Sequence, residues 1–266
     1  MICSLCPKGC NAKRDENENL TGFCKMPLQP RVARAALHFW EEPCISGKNG
    51  SGTVFFSGCN LNCVFCQNYG VSHGGYGKAV TYKRLADIFK ELEEKGAENI
   101  NLVTPSHYYY AVIKALKGYI DIYLTDLKYL SPERARAYSG AEDYPDYASA
   151  SIAEEYRQQG ECVFKNGIMQ RGLIIRHLLL PQGTHEAMRV FDFVRQNTPN
   201  AYFSIMSQYM PCGKAKDMPI INRRVTKREY DKVLDYICFT GFERVYIQER
   251  GSADGRFIPP FDLEGV

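Results

Sequence analysis

The feature that most constrains this chain is the regular alternation of strand-like and helix-like segments from residue 53 onward. Strand patterns occur at Thr53–Ser57, Asn99–Thr104, Ile120–Leu124, Leu173–Leu180, Tyr202–Ser207 and Arg244–Gln248. Between them lie helical patterns. The clearest, Tyr82–Lys95, has apolar residues at Leu85, Ile88, Phe89 and Leu92, a Thr81 N-cap and a Gly96 stop. Others are predicted over Tyr108–Lys117, Pro132–Tyr138, Tyr147–Gln159, His185–Asn197 and Lys227–Phe239. Six strands separated by helices imply parallel β/α units, too few for an eight-stranded barrel, which leaves an open partial barrel or a doubly wound sheet. In either, polar residues that follow strands face one end, where ligands bind.

The residues at those ends are conspicuous. Cys59 follows the first strand, Thr104-Pro-Ser-His107 the second and Asp126 and Lys128 the third; His177 lies in the fourth, and Gln208-Tyr209 follows the fifth. Asp126 and Lys128, two apart, point to one sheet face, where a plain ion pair is the simplest outcome. For His177, in an apolar run, that outcome is a hydrogen-bonded core histidine.

The sequence has 266 residues, of which 33 are basic and 30 acidic, spread evenly, so neither a nucleic-acid arm nor a polyanion stripe is expected. No apolar run is long enough for a membrane helix and no signal peptide is seen, so the expectation is a cytoplasmic protein without a membrane partner. In that compartment the 11 cysteines read as metal ligands and buried thiols, not disulfides. Cys3, Cys6, Cys10 and Cys24 form one group and Cys59, Cys63 and Cys66 another; Cys44, Cys162, Cys212 and Cys238 are scattered. Four thiolates satisfy either zinc or an iron-sulfur cluster. Three, at i, i+4 and i+7, can each reach a different iron of a cuboidal cluster and leave the fourth iron for a small-molecule chelate; zinc completed by His73 is the plainer alternative.

The Cys-x3-Cys-x2-Cys run with Phe65 before its last cysteine, in "FFSGCNLNCVFCQNY", resembles the signature of the radical S-adenosylmethionine (radical SAM) superfamily. "EEPCISG", "NINLVTPSHY", "DIYLTDLKY", "IIRHLLLP" and "MSQYMP" extend the likeness to the PflX-type branch, similar to the activating enzyme of pyruvate formate-lyase. The resemblance implies a partial (β/α)6 TIM-like barrel over 51–266 behind a small Cys-rich extension over 1–50. It implies that Cys59, Cys63 and Cys66 bind a [4Fe-4S] cluster whose open iron is chelated by S-adenosylmethionine. Phe65 would lie near the adenine. Thr104 and Ser106 stand where the superfamily often has Gly-Gly-Glu, a departure from the pattern, and Asp126, Lys128 and His177 match cofactor-holding elements. The implied reaction is reductive cleavage of S-adenosylmethionine to a 5′-deoxyadenosyl radical that abstracts hydrogen. The implied partners are a reducing electron donor such as flavodoxin or ferredoxin and, as substrate, a glycyl radical enzyme or another peptide or small molecule. The first cysteine group would hold a second [4Fe-4S] cluster or zinc. The competing class is an electron-transfer or zinc adaptor with saturated metal sites and no cofactor cleavage.

Overall fold

The computed structural model describes residues 2–3, 6, 8–14, 21–105, 120–248 and 259–266. The expected helix Tyr108–Lys117 and Ser106 lie outside them. The architecture is mixed α/β with parallel strands in both of its sheets, in keeping with a partial TIM-like fold, and the cysteines of the first group precede them. Among the described residues no helix is long and apolar enough to cross a membrane.

The chain divides into two compact units. The first comprises Met1–Asn62, Asn68–Tyr119 and Ile258–Val266. Its sheet runs in the order β3 (Lys78–Ala79), β1 (Arg31–His38), β2 (Ser51–Phe56), β4 (Ile100–Val103). β2 and β4 are parallel, Val54 opposite Leu102, and β1 is antiparallel to both β2 and β3. Helices α1 (Pro43–Ser46), α2 (Tyr69–Ser72) and α3 (Tyr82–Glu94) belong to this unit. α3 starts at Thr81, whose hydroxyl accepts the Arg84 N–H, and its apolar stripe of Leu85, Ile88 and Leu92 packs with Val32, Val54 and Phe56.

β3 pairs with β1 only at Arg31 and Val32. Farther along β1, chain from the other end of the sequence supplies the partners: Ala35 N–H donates to the Glu264 carbonyl (2.8 Å) and Leu263 N–H to that of Ala33 (3.2 Å). Arg34 holds the carboxylates of Asp262 (2.6 Å) and Glu264.

The second unit comprises Cys63–Gln67 and Ile120–Phe257. Four parallel strands run in the order β5 (Ile122–Asp126), β7 (Ile168–Leu178), β8 (Tyr202–Met206), β9 (Val245–Ile247), and β6 (Val163–Lys165) makes a hairpin with β7. Its helices are α4 (Pro132–Ser139), α5 (Tyr144–Gln159), α6 (Thr184–Asn197) and α7 (Lys227–Phe239). Leu173, Ile174, Ile175, Phe203 and Ile205 from the strands and Val190, Phe191, Val194 and Val233 from the helices are wholly buried. The long apolar runs reflect strands covered on both faces. Glu229 closes a capping box with Thr226 at the start of α7 and also pairs with Arg223 (2.7 Å).

Candidate active site

In the second unit, Asp126 is the last residue of β5, and Arg176 stands opposite it on β7. The register makes one carboxylate serve two cations: Asp126 Oδ1 accepts from Arg176 Nε (2.8 Å) and Oδ2 from Lys128 Nζ (2.8 Å). Burial opposes ionisation of Asp126, but Arg176 and Lys128 outweigh it and hold the carboxyl well below its usual range. Burial likewise disfavours the Lys128 ammonium, and the opposing charge of Asp126, helped by Cys63, raises it above the ordinary lysine value. The plain ion pair of Asp126 and Lys128 is present, widened by Arg176, with Lys128 two residues past the end of β5.

The segment after Asp126 is gripped from several helices. Tyr144, at the start of α5, donates its hydroxyl to the Asp126 carbonyl (2.8 Å) and accepts the Lys128 N–H (3.1 Å). Burial pushes that phenol up to about 12, so it stays protonated. Glu186, buried in the first turn of α6, accepts the N–H groups of Leu130 and Ser131 (2.8 Å to Ser131) on one oxygen. His177 is buried, and its Nδ1 meets the Leu127 carbonyl at 2.7 Å. Because a carbonyl only accepts, Nδ1 carries the proton and Nε2 is left as an acceptor. Burial lowers the His177 pKa, favouring this neutral form.

The turn Cys63–Cys66 belongs to the same unit. It closes on itself through Cys66 N–H to the Cys63 carbonyl (3.2 Å) and is pinned on two further sides. Val64 N–H donates to the Tyr138 carbonyl (2.9 Å), one of the unpaired acceptors at the end of α4, and the Val64 carbonyl accepts from Ala215 N–H (3.0 Å). The Cys212 thiol donates to the Phe65 carbonyl (3.1 Å). Cys63 is buried, with Sγ 3.1 Å from Ser139 Oγ, and Ser139 in turn lies 3.2 Å from the Tyr129 hydroxyl. The Phe65 ring is buried edge-on to Tyr209 (6.0 Å) and Tyr129 (6.5 Å). Tyr209 donates its hydroxyl to the Ile221 carbonyl (2.8 Å), while Gln208 accepts from Gln248 (3.0 Å).

In the first unit, Cys59 follows β2 after Gly58, whose φ of 83° makes the tight turn, and its sulfur accepts the Leu61 N–H (3.4 Å). Thr104, past the end of β4, has φ 57°, a conformation that a β-branched residue rarely adopts. In the amino-terminal segment, Ile2 bridges Lys13 and Cys3 N–H bonds the Ala12 carbonyl (2.8 Å). Arg14 donates to Cys24 Sγ (2.9 Å), and amide hydrogen bonds from Phe23 and Ala12 lower the Cys10 thiol pKa.

None of the described cysteines is in a disulfide. Among the described residues no three of His, Cys, Asp and Glu are grouped to hold a metal ion. A cuboidal cluster does not ask for such a group, because each of its cysteines binds a separate iron. Three cysteines on one short loop, none in a disulfide and two of them partly exposed, are a donor set of the right chemistry for it.

Sequence reasoning missed Tyr144, Glu186 and Ser139, which reach the site from helix ends with no spacing signal, and it placed Cys212 among the scattered thiols. Arg176 was visible only as the neighbour of His177.

Comparison with known proteins agrees with this chemistry. Residues 53–134 match the model of the radical SAM superfamily. An uncharacterized protein of Methanocaldococcus jannaschii is 29% identical over 268 residues, covering 88% of this chain and 73% of the relative. The matched segment contains all three cysteines of the second group together with Asp126 and Lys128. Residues 53–134 are thus similar to the radical SAM superfamily domain, whose enzymes use a [4Fe-4S] cluster and S-adenosylmethionine and need a reductant.

Proposed function

We propose that Cys59, Cys63 and Cys66 are the cluster ligands, that Phe65, Thr104, Ser106, Asp126, Lys128 and His177 hold S-adenosylmethionine, and that the enzyme abstracts hydrogen from a glycine of a protein partner, as a glycyl-radical-activating enzyme of the PflX-type branch. The observation that carries the ligand reading is the triply pinned turn Cys63–Cys66 inside the family match. When bound, the reduced cluster and S-adenosylmethionine supply a primary carbon radical for hydrogen abstraction.

The chain's own residues do the positioning. Lys128, with one N–H given to Asp126, presents its other donors to the anionic end of the cofactor. His177 Nε2 offers an acceptor suited to a ribose hydroxyl. Arg176 holds Asp126, and through it Lys128, in place. The protein-partner substrate rests on the sequence resemblance, as does a flavodoxin or ferredoxin as electron donor. Cys3, Cys6, Cys10 and Cys24 are proposed to hold a second cluster or zinc; the amide hydrogen bonds to Cys10 favour its thiolate, whereas burial raises the Cys24 pKa against the pull of Arg14.

The test is anaerobic reconstitution with iron and sulfide, reduction, addition of S-adenosylmethionine and measurement of 5′-deoxyadenosine. Product is expected from the natural protein and none from the Cys59→Ala, Cys63→Ala, Cys66→Ala variant. A cluster or zinc that assembles without any cleavage, with substrate-like partners present, overturns the enzyme reading in favour of an electron-transfer adaptor. A glycyl radical signal on a mixed glycyl radical enzyme supports the activating role, and cleavage without that signal shifts it to another peptide or small molecule. Metal analysis that finds one cluster and no zinc per chain refutes the amino-terminal site.

A further inference from the structure

We infer that Ser139 and Tyr129 form a buried hydroxyl relay onto the Cys63 sulfur that makes the cluster easier to reduce. The inference rests on Cys63 being a cluster ligand.

Ser139 Oγ lies 3.1 Å from Cys63 Sγ and 3.2 Å from the Tyr129 hydroxyl, and all three residues are buried, Ser139 and Tyr129 almost completely. Between neutral groups either atom of each pair could donate. A metal-bound thiolate has no proton and only accepts, which fixes the direction: Ser139 O–H points at sulfur and Tyr129 O–H fills the acceptor position on Ser139. The chain also fixes the serine. It is the last residue of α4, where Gly140 adopts a left-handed φ of 60° and returns its N–H to the Ala135 and Arg136 carbonyls. The carbonyl just before it, that of Tyr138, holds Val64 of the cysteine turn, so hydroxyl and thiol are positioned by one helix end.

Reduction adds negative charge to a cluster and to the thiolates that bind it. A hydrogen bond to one of those sulfurs therefore stabilises the reduced form more than the oxidised form, and such bonds are among the levers that set cluster potentials. In a dry pocket no water replaces a lost donor, and the second hydroxyl polarises the first. The relay thus lowers the demand on whatever reductant serves the enzyme.

The experiment compares natural protein, Ser139→Ala, Tyr129→Phe and Cys63→Ala after anaerobic reconstitution. Iron and sulfide content, the paramagnetic resonance spectrum of the reduced cluster and a dithionite titration against mediators are read for each. Ser139→Ala is expected to bind a full cluster that is harder to reduce by about tenfold in the equilibrium constant, which is about 59 mV for a one-electron couple. Tyr129→Phe moves the same way by less. A Ser139→Ala cluster that titrates with the natural one overturns the relay. If Ser139→Ala fails to keep its cluster, Tyr129→Phe decides, since it removes one oxygen from a ring that stays packed: a shift supports the relay and no shift overturns it. Should Cys63→Ala retain the natural cluster, the ligand assignment fails instead, a result distinct from failure of the relay.

Discussion

Replacing Glu186 by alanine tests how the loop after β5 is held. One oxygen of this buried carboxylate accepts two backbone N–H groups, those of Leu130 and Ser131. Alanine leaves both without a partner. A buried amide deprived of its acceptor costs about 1–3 kcal/mol; with Ser131 buried and Leu130 partly hydrated, the sum is about 2–4 kcal/mol. For a chain of this size that lowers Tm by roughly 5–15 °C. Glu186→Gln keeps an oxygen facing both amides and loses only the charge, so about 1 kcal/mol is expected. The sharper assay is hydrogen exchange: if the loss is local, the Leu130 and Ser131 amides exchange about thirtyfold faster or more in the alanine variant. Lys128, proposed to hold S-adenosylmethionine, lies two residues upstream of Leu130, and on that proposal affinity falls in the same order, alanine below glutamine. Unchanged exchange at Leu130 and Ser131, with Tm within 1 °C or so of the natural protein, refutes the reasoning.

Asp126→Asn strips Arg176 and Lys128 of their shared counter-charge. Because these side chains are about a quarter to a third exposed, the stability loss should be about 1–2 kcal/mol, below that of a fully buried pair, and equilibrium dialysis should show weakened S-adenosylmethionine binding. Glu229, held chiefly by Arg223 and also by the amides of Thr226 and Gln182, has its pKa depressed in the folded state. Its stabilisation is complete above the unfolded glutamate value of about 4.3 and is lost as pH falls toward the folded value. The urea midpoint gap between natural protein and Glu229→Gln should therefore be constant near neutrality and close below about pH 4. Gly77→Ala puts a Cβ 2.2 Å from Ser57 Oγ and 3.0 Å from the Val32 carbonyl at φ 136°, and should cost about 2–3 kcal/mol in thermal unfolding. Thr104→Gly relieves a left-handed threonine and should stabilise by about 1 kcal/mol; if the strained turn serves the cofactor, S-adenosylmethionine affinity drops while Tm rises.

β2, β7 and β8 were legible because their apolar runs are largely buried; β4, β5 and β9 are only partly buried and were legible as short apolar, β-branched runs between helical patterns. β1 was not. Its sequence, RVARAALH, has small residues and two arginines, and a register shift between Val32 and Arg34 breaks the alternation that marks a strand. β5 lies two residues later than expected, which turned Asp126 from a loop residue into its last residue, and β7 starts at Ile168, ahead of the expected Leu173. α5 begins at Tyr144, ahead of the expected Tyr147, because Pro145 suits a first helical turn. In the site, the two-residue spacing revealed Asp126 with Lys128, and the loop spacing revealed the cysteines. Glu186 and Ser139 were hidden for a physical reason. Each acts from a helix terminus on backbone or sulfur far away in sequence, and no local pattern records a tertiary hydrogen bond.

The pairing of β1 with residues 262–264 has a consequence for biosynthesis. Arg34 and Asp262 are 228 positions apart, which at ordinary ribosomal speeds is roughly 10–45 s of translation. Throughout that interval the stretch of β1 around Ala33 and Ala35 has made its bonds to β2 but has no cover on its other edge. An open edge of this kind invites pairing with another nascent chain. Residues 262–264 thus act as a late-arriving edge guard, and solubility during synthesis should respond to their replacement more strongly than the stability of the finished sheet does.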